Sequence, residues 1–369
     1  MRTYITTVMT GPETSRLTVD LGAIVANWQD LRRRHPGGDV AAVVKADAYG
    51  LGAKIVAPAL HAAGCRHFFV AHLSEAMVIR PLLPGAMLAV LNGLAPGQAE
   101  VFAAQDITAV LGSLPEIDRW AAEARRLGRQ LPALLHVDTG MNRLGLDERE
   151  LAALAVDPGQ LADLDLLYLM THLVSSELPE DLINKRQRAE FAAACAALPP
   201  MKRSLANSSG IFLGPDFASD LARPGAALYG INPTPDQPNP MRQTVRLDIE
   251  ILQIREIAAG DSVGYNAAWR ASRPSRIATA PLGYADGWPR SMATCSHAIF
   301  DGRPVPLVGR VSMDLTTYDV TDFPAIMPGD WLNVIGPGRT PDDIARDAGT
   351  NGYEVLTSLW SRYARTYLA

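Results

Sequence analysis

The sequence predicts an α/β plus β protein: an N-terminal (β/α)8 barrel followed by a mostly antiparallel β domain. Three observations carry this expectation. Between about residues 17 and 230, short apolar runs alternate with longer amphipathic stretches, about eight times over. Residues 232–240 then hold four prolines in nine positions, a stiff segment with few backbone donors. Beyond it the apolar residues fall at every second position, the period of a half-buried strand.

In order along the chain, the run at 40–44 is rich in Val and Ala and leads into a helical pattern over 52–63. Runs at 68–71, 87–91, 108–111, 134–137 and 166–170 repeat the theme, with helical stretches at 75–83, 115–127 and 181–198; 204–206 and Leu221 are weaker candidates for the last two strands. Strands apolar on both faces and separated by helices indicate a parallel sheet covered on both sides. Their number fits a closed barrel better than an open doubly wound sheet, and no Gly-x-Gly-x-x-Gly follows the first strand. The proline segment is the best boundary, giving domains at 12–240 and 241–369, with residues 1–11 a candidate addition to the second. In that second part Val245, Leu247, Ile249 and Ile251 alternate with Arg246, Asp248 and Glu250, and the phase slips at Leu252 as a bulge or a crossing between sheets requires. Asp301-Gly302 between apolar runs signals a hairpin. Residues 311–320 and 331–335 supply further strands, Thr340-Pro341 reads as an N-cap and first helical residue, and a last helix is expected around 353–363.

Composition narrows the function classes. The 369 residues are nearly half apolar and carry a formal net charge of -5, so no basic field points to nucleic acid or an acidic membrane. No apolar run reaches the ~18 residues of a membrane span, and residues 1–11 lack the apolar block of a signal peptide. Cys65, Cys195 and Cys295 lie far apart, leave one over and form no CxxC, so they read as core thiols of a cytoplasmic protein, with no disulfide framework and no metal site.

Lys45 ends the first apolar run, where catalytic groups of barrels project. A lysine emerging from apolar surroundings loses proton affinity by desolvation and can form a Schiff base, although taken alone such a lysine is more often one that reaches for water. The loops after the last two strands read Asn207-Ser208-Ser209-Gly210 and Arg223-Pro224-Gly225-Ala226. Small residues there let backbone N–H groups approach an anion, and Ser208 adds a hydroxyl, at the place where barrels commonly bind phosphate. Lysine and anion loops together point to a phosphorylated aldehyde cofactor.

Over nearly its whole length the chain resembles the alanine racemase family. VVKADAYG (43–50) is similar to that family's pyridoxal-phosphate attachment signature, and DTGMNRLG (138–145), THL (171–173), ANSSG (206–210), RPGAALYG (223–230), VGYN (263–266), GYADG (283–287), GRVSMD (309–314) and NGYE (351–354) follow in the family's order. The resemblance implies a pyridoxal 5'-phosphate enzyme that interconverts L- and D-alanine, for cell-wall synthesis or alanine catabolism, as a homodimer with shared active sites. Lys45 would carry the cofactor as a Schiff base, and Tyr49, Ser208, Gly225, Ala226 and Tyr353 would hold its phosphate. Arg223 would face the pyridine nitrogen, oriented by His172. Tyr265, lent by the partner, would be the second proton carrier, Arg143 and the Met313 backbone would bind the substrate carboxylate, and Tyr284 and Asp314 would line the entrance.

Racemisation must remove a proton from one face of Cα and return one to the other, which two bases on opposite faces do directly. One departure from the family pattern matters: His136 stands where many relatives carry a lysine whose carbamate positions the substrate-binding arginine, so Arg143 must be held another way. Ser312, where relatives often have cysteine, is expected to change little. The alternatives are a serine or broad-specificity racemase, a pyridoxal-phosphate decarboxylase of similar architecture, and a single-domain pyridoxal-phosphate-binding regulator. Arg223 and VGYN weigh against the decarboxylase, and the β domain weighs against the regulator.

Overall fold

A computed structural model of the chain describes residues 4–6, 14–292, 296–359 and 361–369. Eight parallel segments form the barrel. The first is Asp39–Val40 continuing into Ala42–Val43, followed by His67–Val70, Met87–Val90, Thr108–Leu111, Leu131–His136, Leu164–Met170, Lys202–Ser204 and Leu221–Ala222. From Ala42–Val43 to Lys202–Ser204 they pair in sequence order as one parallel sheet. Leu221 and Ala222 pair with Asp39 and Val40. The remaining seam is closed by the Arg223 N–H on the Ala206 carbonyl at 2.8 Å and the Ser204 hydroxyl on the Leu221 carbonyl at 2.6 Å.

The near-continuous apolar strands follow from having two buried faces. Ala41, Val43, Phe69, Ala89, Val110, Leu134, Tyr168, Met170 and Leu221 fill the inside of the barrel. Val40, Ala42 and Val44 pack outward with the covering helices, so odd and even positions serve different cores. Helices Ala53–Ala62, Leu73–Ile79, Ala99–Ala104, Leu114–Leu127, Glu148–Val156 and Leu182–Ala197 follow successive strands. After the seventh and eighth strands only short 3-10 turns appear, Ser209–Phe212, Pro215–Phe217 and Ala226–Tyr229. The helix Leu21–Arg34, ahead of the first strand, covers that side: Asn27 donates to the Leu228 carbonyl at 3.2 Å and the Trp28 indole to Val40 at 2.9 Å.

The second region holds a seven-stranded sheet in the order Tyr4–Thr6, Ala364–Leu368, Ser15–Asp20, Val245–Glu250, Trp331–Ile335, His297–Phe300 and Arg303–Pro306. A three-stranded sheet of Gln253–Ile257, Ser275–Ala280 and Thr316–Asp319 accompanies it. The phase slip at Leu252 is a crossing between these two sheets. Asp301 and Gly302 have φ of 47° and 74°, the left-handed pair that a tight hairpin turn needs. The Thr340 hydroxyl accepts the Asp343 N–H at 3.1 Å and caps Pro341–Ala348.

Three expectations are corrected. Ser15–Asp20, placed by its sequence at the head of the barrel segment, pairs with Val245–Glu250 and Ala364–Leu368, because only Leu17 and Val19 alternate to a buried face. Of 311–320 only Thr316–Asp319 is strand; the preceding residues form a loop. The last helix is Gly352–Ser358, and 364–368 returns as a strand whose pairing partners lie hundreds of residues upstream. Cys295 lies outside the described residues, while Cys65 and Cys195 are free thiols. No described helix is long and apolar enough to cross a membrane.

Candidate active site

Lys45 continues the inward register of Ala41 and Val43, so it leaves the first strand toward the barrel mouth. The next four residues, Ala46 to Tyr49, have φ of 53°, 54°, 55° and 55°, a complete left-handed turn without glycine. Such a conformation costs roughly 1–2 kcal/mol at each residue, strain of the kind held at functional sites. Several contacts hold it: the Asp47 carboxylate accepts the Ala53 N–H at 2.7 Å, and the Tyr49 ring stacks on Tyr229 at 4.8 Å, whose hydroxyl donates to the Val43 carbonyl at 3.0 Å.

The turn lays the Tyr49 hydroxyl over Gly225, where a Cβ would stand 2.3 Å from it, so only glycine allows that approach. Ser208 Oγ accepts N–H groups from Gly225 at 3.1 Å and Ala227 at 3.2 Å. Both acceptor positions of the hydroxyl are thereby filled, and its proton is left to donate to a ligand oxygen. Tyr353, at the start of the helix capped by Asn351, lines the same cavity.

Arg223 is 4% exposed; it donates to Ser204 Oγ at 2.5 Å and to the Thr171 carbonyl. Burial lowers its pKa to about 10, which leaves it a cation at neutral pH, and no ion pair joins it among the described residues. His172 is pushed down to about 3 by burial and then by Arg223, Arg143, Lys45 and His136, and is neutral. Burial also lowers the Lys45 amine, with Arg143 adding to that and Glu75 opposing it.

Lys45, Tyr49, Arg143, His172, Ser208, Arg223, Gly225, Ala226 and Tyr353 therefore meet in one cavity of about 450 Å³. Its donors fit pyridoxal phosphate: a hydroxyl and backbone cradle for a phosphate, a desolvated amine for an aldehyde, and a buried cation without a carboxylate for a neutral ring nitrogen.

At position 136 the structure answers what the sequence left open. His136 is held to about 4 by burial and Arg223, with Asp138 opposing and Arg143 assisting, so it is neutral and supplies no anion. Arg143 is placed instead by its loop, in which the Asp138 carboxylate collects the N–H groups of Gly140 (2.9 Å), Met141 (2.9 Å) and Asn142 (2.8 Å). The Asp-Thr-Gly run was the available signal for such a turn. Sequence reading also missed Gln187. This fully buried amide accepts the Val174 N–H at 2.8 Å and donates to the His172 carbonyl at 3.0 Å and Thr139 Oγ at 3.1 Å, clamping the segment that carries His172. A polar residue within a helix gives no sign of that role.

The other candidates lie apart. Tyr265 and Met313, 66% and 53% exposed, flank a separate depression with Gly264, Ser312, Asp314 and Leu315. Tyr284 lines neither; its N–H donates to Ser312 at 3.1 Å, and Gly283 packs on the Met313 carbonyl so closely that a Cβ would come within 2.2 Å. The GYADG turn thus supports the Met313 loop. Asp314 pairs with Arg362 at 2.7 Å.

Comparison with known proteins agrees with this geometry. Residues 19–233 match the family model "Alanine racemase, N-terminal domain" and residues 244–367 the "Alanine racemase, C-terminal domain". The alanine racemase of Acidiphilium cryptum is 57% identical, over 95% of this chain and 97% of that protein. A catabolic alanine racemase of Agrobacterium fabrum is 45% identical, over 97% of this chain and 93% of its own. Among solved structures, the alanine racemase from Bartonella henselae with covalently bound pyridoxal phosphate superposes with a TM-score of 0.94 at 42% identity, covering 96% of this chain and all of that one. The biosynthetic enzyme from Pseudomonas aeruginosa gives 0.90 at 34% identity, covering 96% of this chain and 99% of its own. With a desolvated lysine, an anion cradle and a buried arginine on one barrel mouth, and both family domains matched in order, the chain belongs to the alanine racemase family.

Proposed function

We propose that this protein interconverts L- and D-alanine with pyridoxal 5'-phosphate, supplying D-alanine for cell-wall synthesis or feeding alanine catabolism in the cytoplasm. The observation that carries the reading is the Lys45 amine, desolvated in one cavity with the Ser208–Gly225 cradle and Arg223. When bound, the cofactor acidifies the Cα–H bond of the amino acid joined to it.

The chain's own residues do the rest. Lys45 would hold the cofactor between turnovers, and its free amine would move a proton on one face of Cα. Ser208, Gly225, Ala226, Tyr49 and Tyr353 bind the phosphate, and Arg143 with the Met313 backbone binds the substrate carboxylate. Arg223, a permanent donor, would face the ring nitrogen of the cofactor and keep it unprotonated, which would restrain electron withdrawal and favour return of the proton to Cα over side reactions. Neutral His172 lies beside Arg223 without adding charge.

The opposite face needs Tyr265, whose ring stands exposed on the second region. A homodimer in which Tyr265 and Met313 of the partner subunit meet the Lys45 cavity completes the site; Tyr284 and Asp314 then border its entrance. Apart from Ser15–Asp20, which joins the second region's sheet, the domains divide at the proline segment, with the region after residue 240 serving the partner.

A chiral assay on L-alanine and L-serine tests the reaction. Turnover of alanine that Lys45→Ala abolishes is expected; carbon dioxide release without racemisation would overturn the reading. Arg223→Glu should slow racemisation and raise the share of transamination, and an unchanged ratio would remove that role from Arg223.

A further inference from the structure

Glu75 lies on the helix after the second barrel strand and does not line the cavity. Its carboxylate joins two units of the barrel. Oε2 accepts the N–H groups of Ala71 at 2.7 Å and His72 at 3.1 Å, at the start of its own helix. Oε1 accepts the Ala46 N–H at 2.7 Å. That N–H belongs to the peptide bond leaving Lys45, and Ala46 is the first residue of the left-handed turn. Fixing this peptide plane fixes the direction in which the lysine side chain departs.

The same device recurs at Glu116, whose Oε2 takes the Gly112 N–H at 2.7 Å and Oε1 the Leu94 N–H at 3.1 Å. There it ties the loops after the third and fourth strands, and none of the proposed site residues adjoins it. The two clamps share their chemistry and differ in what they hold.

We propose that Glu75 is a positioning residue for Lys45: through the Ala46 peptide it holds the strained turn and aims the amine into the cavity. This rests on the reading of Lys45 as the cofactor-binding amine. Charge gives a second readout. Arg143, His172, Glu177, Arg223, Tyr49 and Tyr353 line the cavity with the amine; of the charges that act on it, Arg143 lowers its proton affinity and Glu75 raises it. Removal of Glu75 must move the deprotonation of Lys45 to lower pH.

The test compares Glu75→Gln, Glu75→Asp and Glu116→Gln in the full chain. Acylation of Lys45 by acetic anhydride across pH, read by peptide mass spectrometry after the cofactor is removed, reports the proton on the amine without turnover. The rate of pyridoxal phosphate recapture reports its aim. Glutamine at 75 keeps one acceptor oxygen for two sets of donors, so recapture should slow by about tenfold and the acylation midpoint should fall. Aspartate keeps the charge but not the reach: recapture slows while the midpoint stays near that of the parent. Glu116→Gln should lower the melting temperature yet leave both readouts unchanged. Matching behaviour of Glu75→Gln and Glu116→Gln in both would overturn the proposal. So would rapid hydrogen exchange of the Ala46 amide in the unaltered protein, which needs no variant to fold. Covalent cofactor uptake by Lys45→Ala would instead refute the role of Lys45, and the acylation midpoints would stay interpretable.

Discussion

At the mouth of the barrel the polar groups are buried and already engaged: Arg223 on Ser204 and Thr171, Ser208 on two backbone N–H groups, Gln187 across the His172 segment. On the second region Tyr265 and Met313 stand more than half exposed around a shallow depression. The first surface is organised within one chain; under the proposed dimer the second is an edge set against the partner's cavity. The two proposed proton carriers are thus built to different rules. Lys45 needs a strained turn and desolvation, while Tyr265 needs only a rigid support, and the Gly264 before it packs close on the backbone of Gly309 and Arg310.

This contrast can be broken by substitution. The largest effect belongs to Lys45→Ala, which should lose covalent cofactor binding and at least ~10⁴-fold in racemisation, checked by absorbance and the chiral assay. Tyr265→Phe should cost ~10²–10⁴-fold while leaving the cofactor attached. It should also make exchange of the Cα hydrogen with solvent unequal for the two enantiomers, and equal impairment from both would contradict opposed faces. Mixing the two variants sharpens the comparison further: if sites are shared, hybrid dimers regain roughly a quarter of the intact sites, and a mixture with no recovered turnover would place both groups in one subunit.

Acid should act next. His136 and His172 are neutral in the fold, with pKa near 4 and 3 against 6.5 when unfolded. A depressed folded value means stability is complete above pH ~6.5 and falls as pH drops through the window toward those values, because the unfolded chain takes up the protons first. For His136 alone the loss is on the order of 3 kcal/mol. Denaturant titration should show His136→Gln flattening the acid limb. Smallest is Ser208→Ala, which removes one donor to the phosphate and should weaken cofactor binding about fivefold, or ~1 kcal/mol, by equilibrium titration.

How much of this was legible from sequence varies by residue. Lys45, Ser208, Arg223 and Gly225 could be placed because their neighbours set them at strand ends, where a barrel gathers its chemistry. Asp138 was signalled by its Asp-Thr-Gly turn, but Glu75 and Gln187 could not be placed, since they reach mainly backbone groups of other segments, and backbone groups carry no sequence signature. The final strand was missed for the same reason: Ala364–Leu368 is defined by pairing with Ser15–Asp20, at the other end of the chain.

The sequence alone determined the barrel, the antiparallel second region, the linker between their apolar patterns and the family, because periodicity and local motifs are properties of neighbouring residues. Only the tertiary structure decided that Lys45 follows the inward register into a left-handed turn, that Asp138 rather than an anion at position 136 sets the Arg143 loop, and that Tyr265 lies outside its own chain's cavity. Those outcomes depend on hydrogen bonds and burial between segments far apart in the chain, and such contacts exist only once the chain has closed on itself.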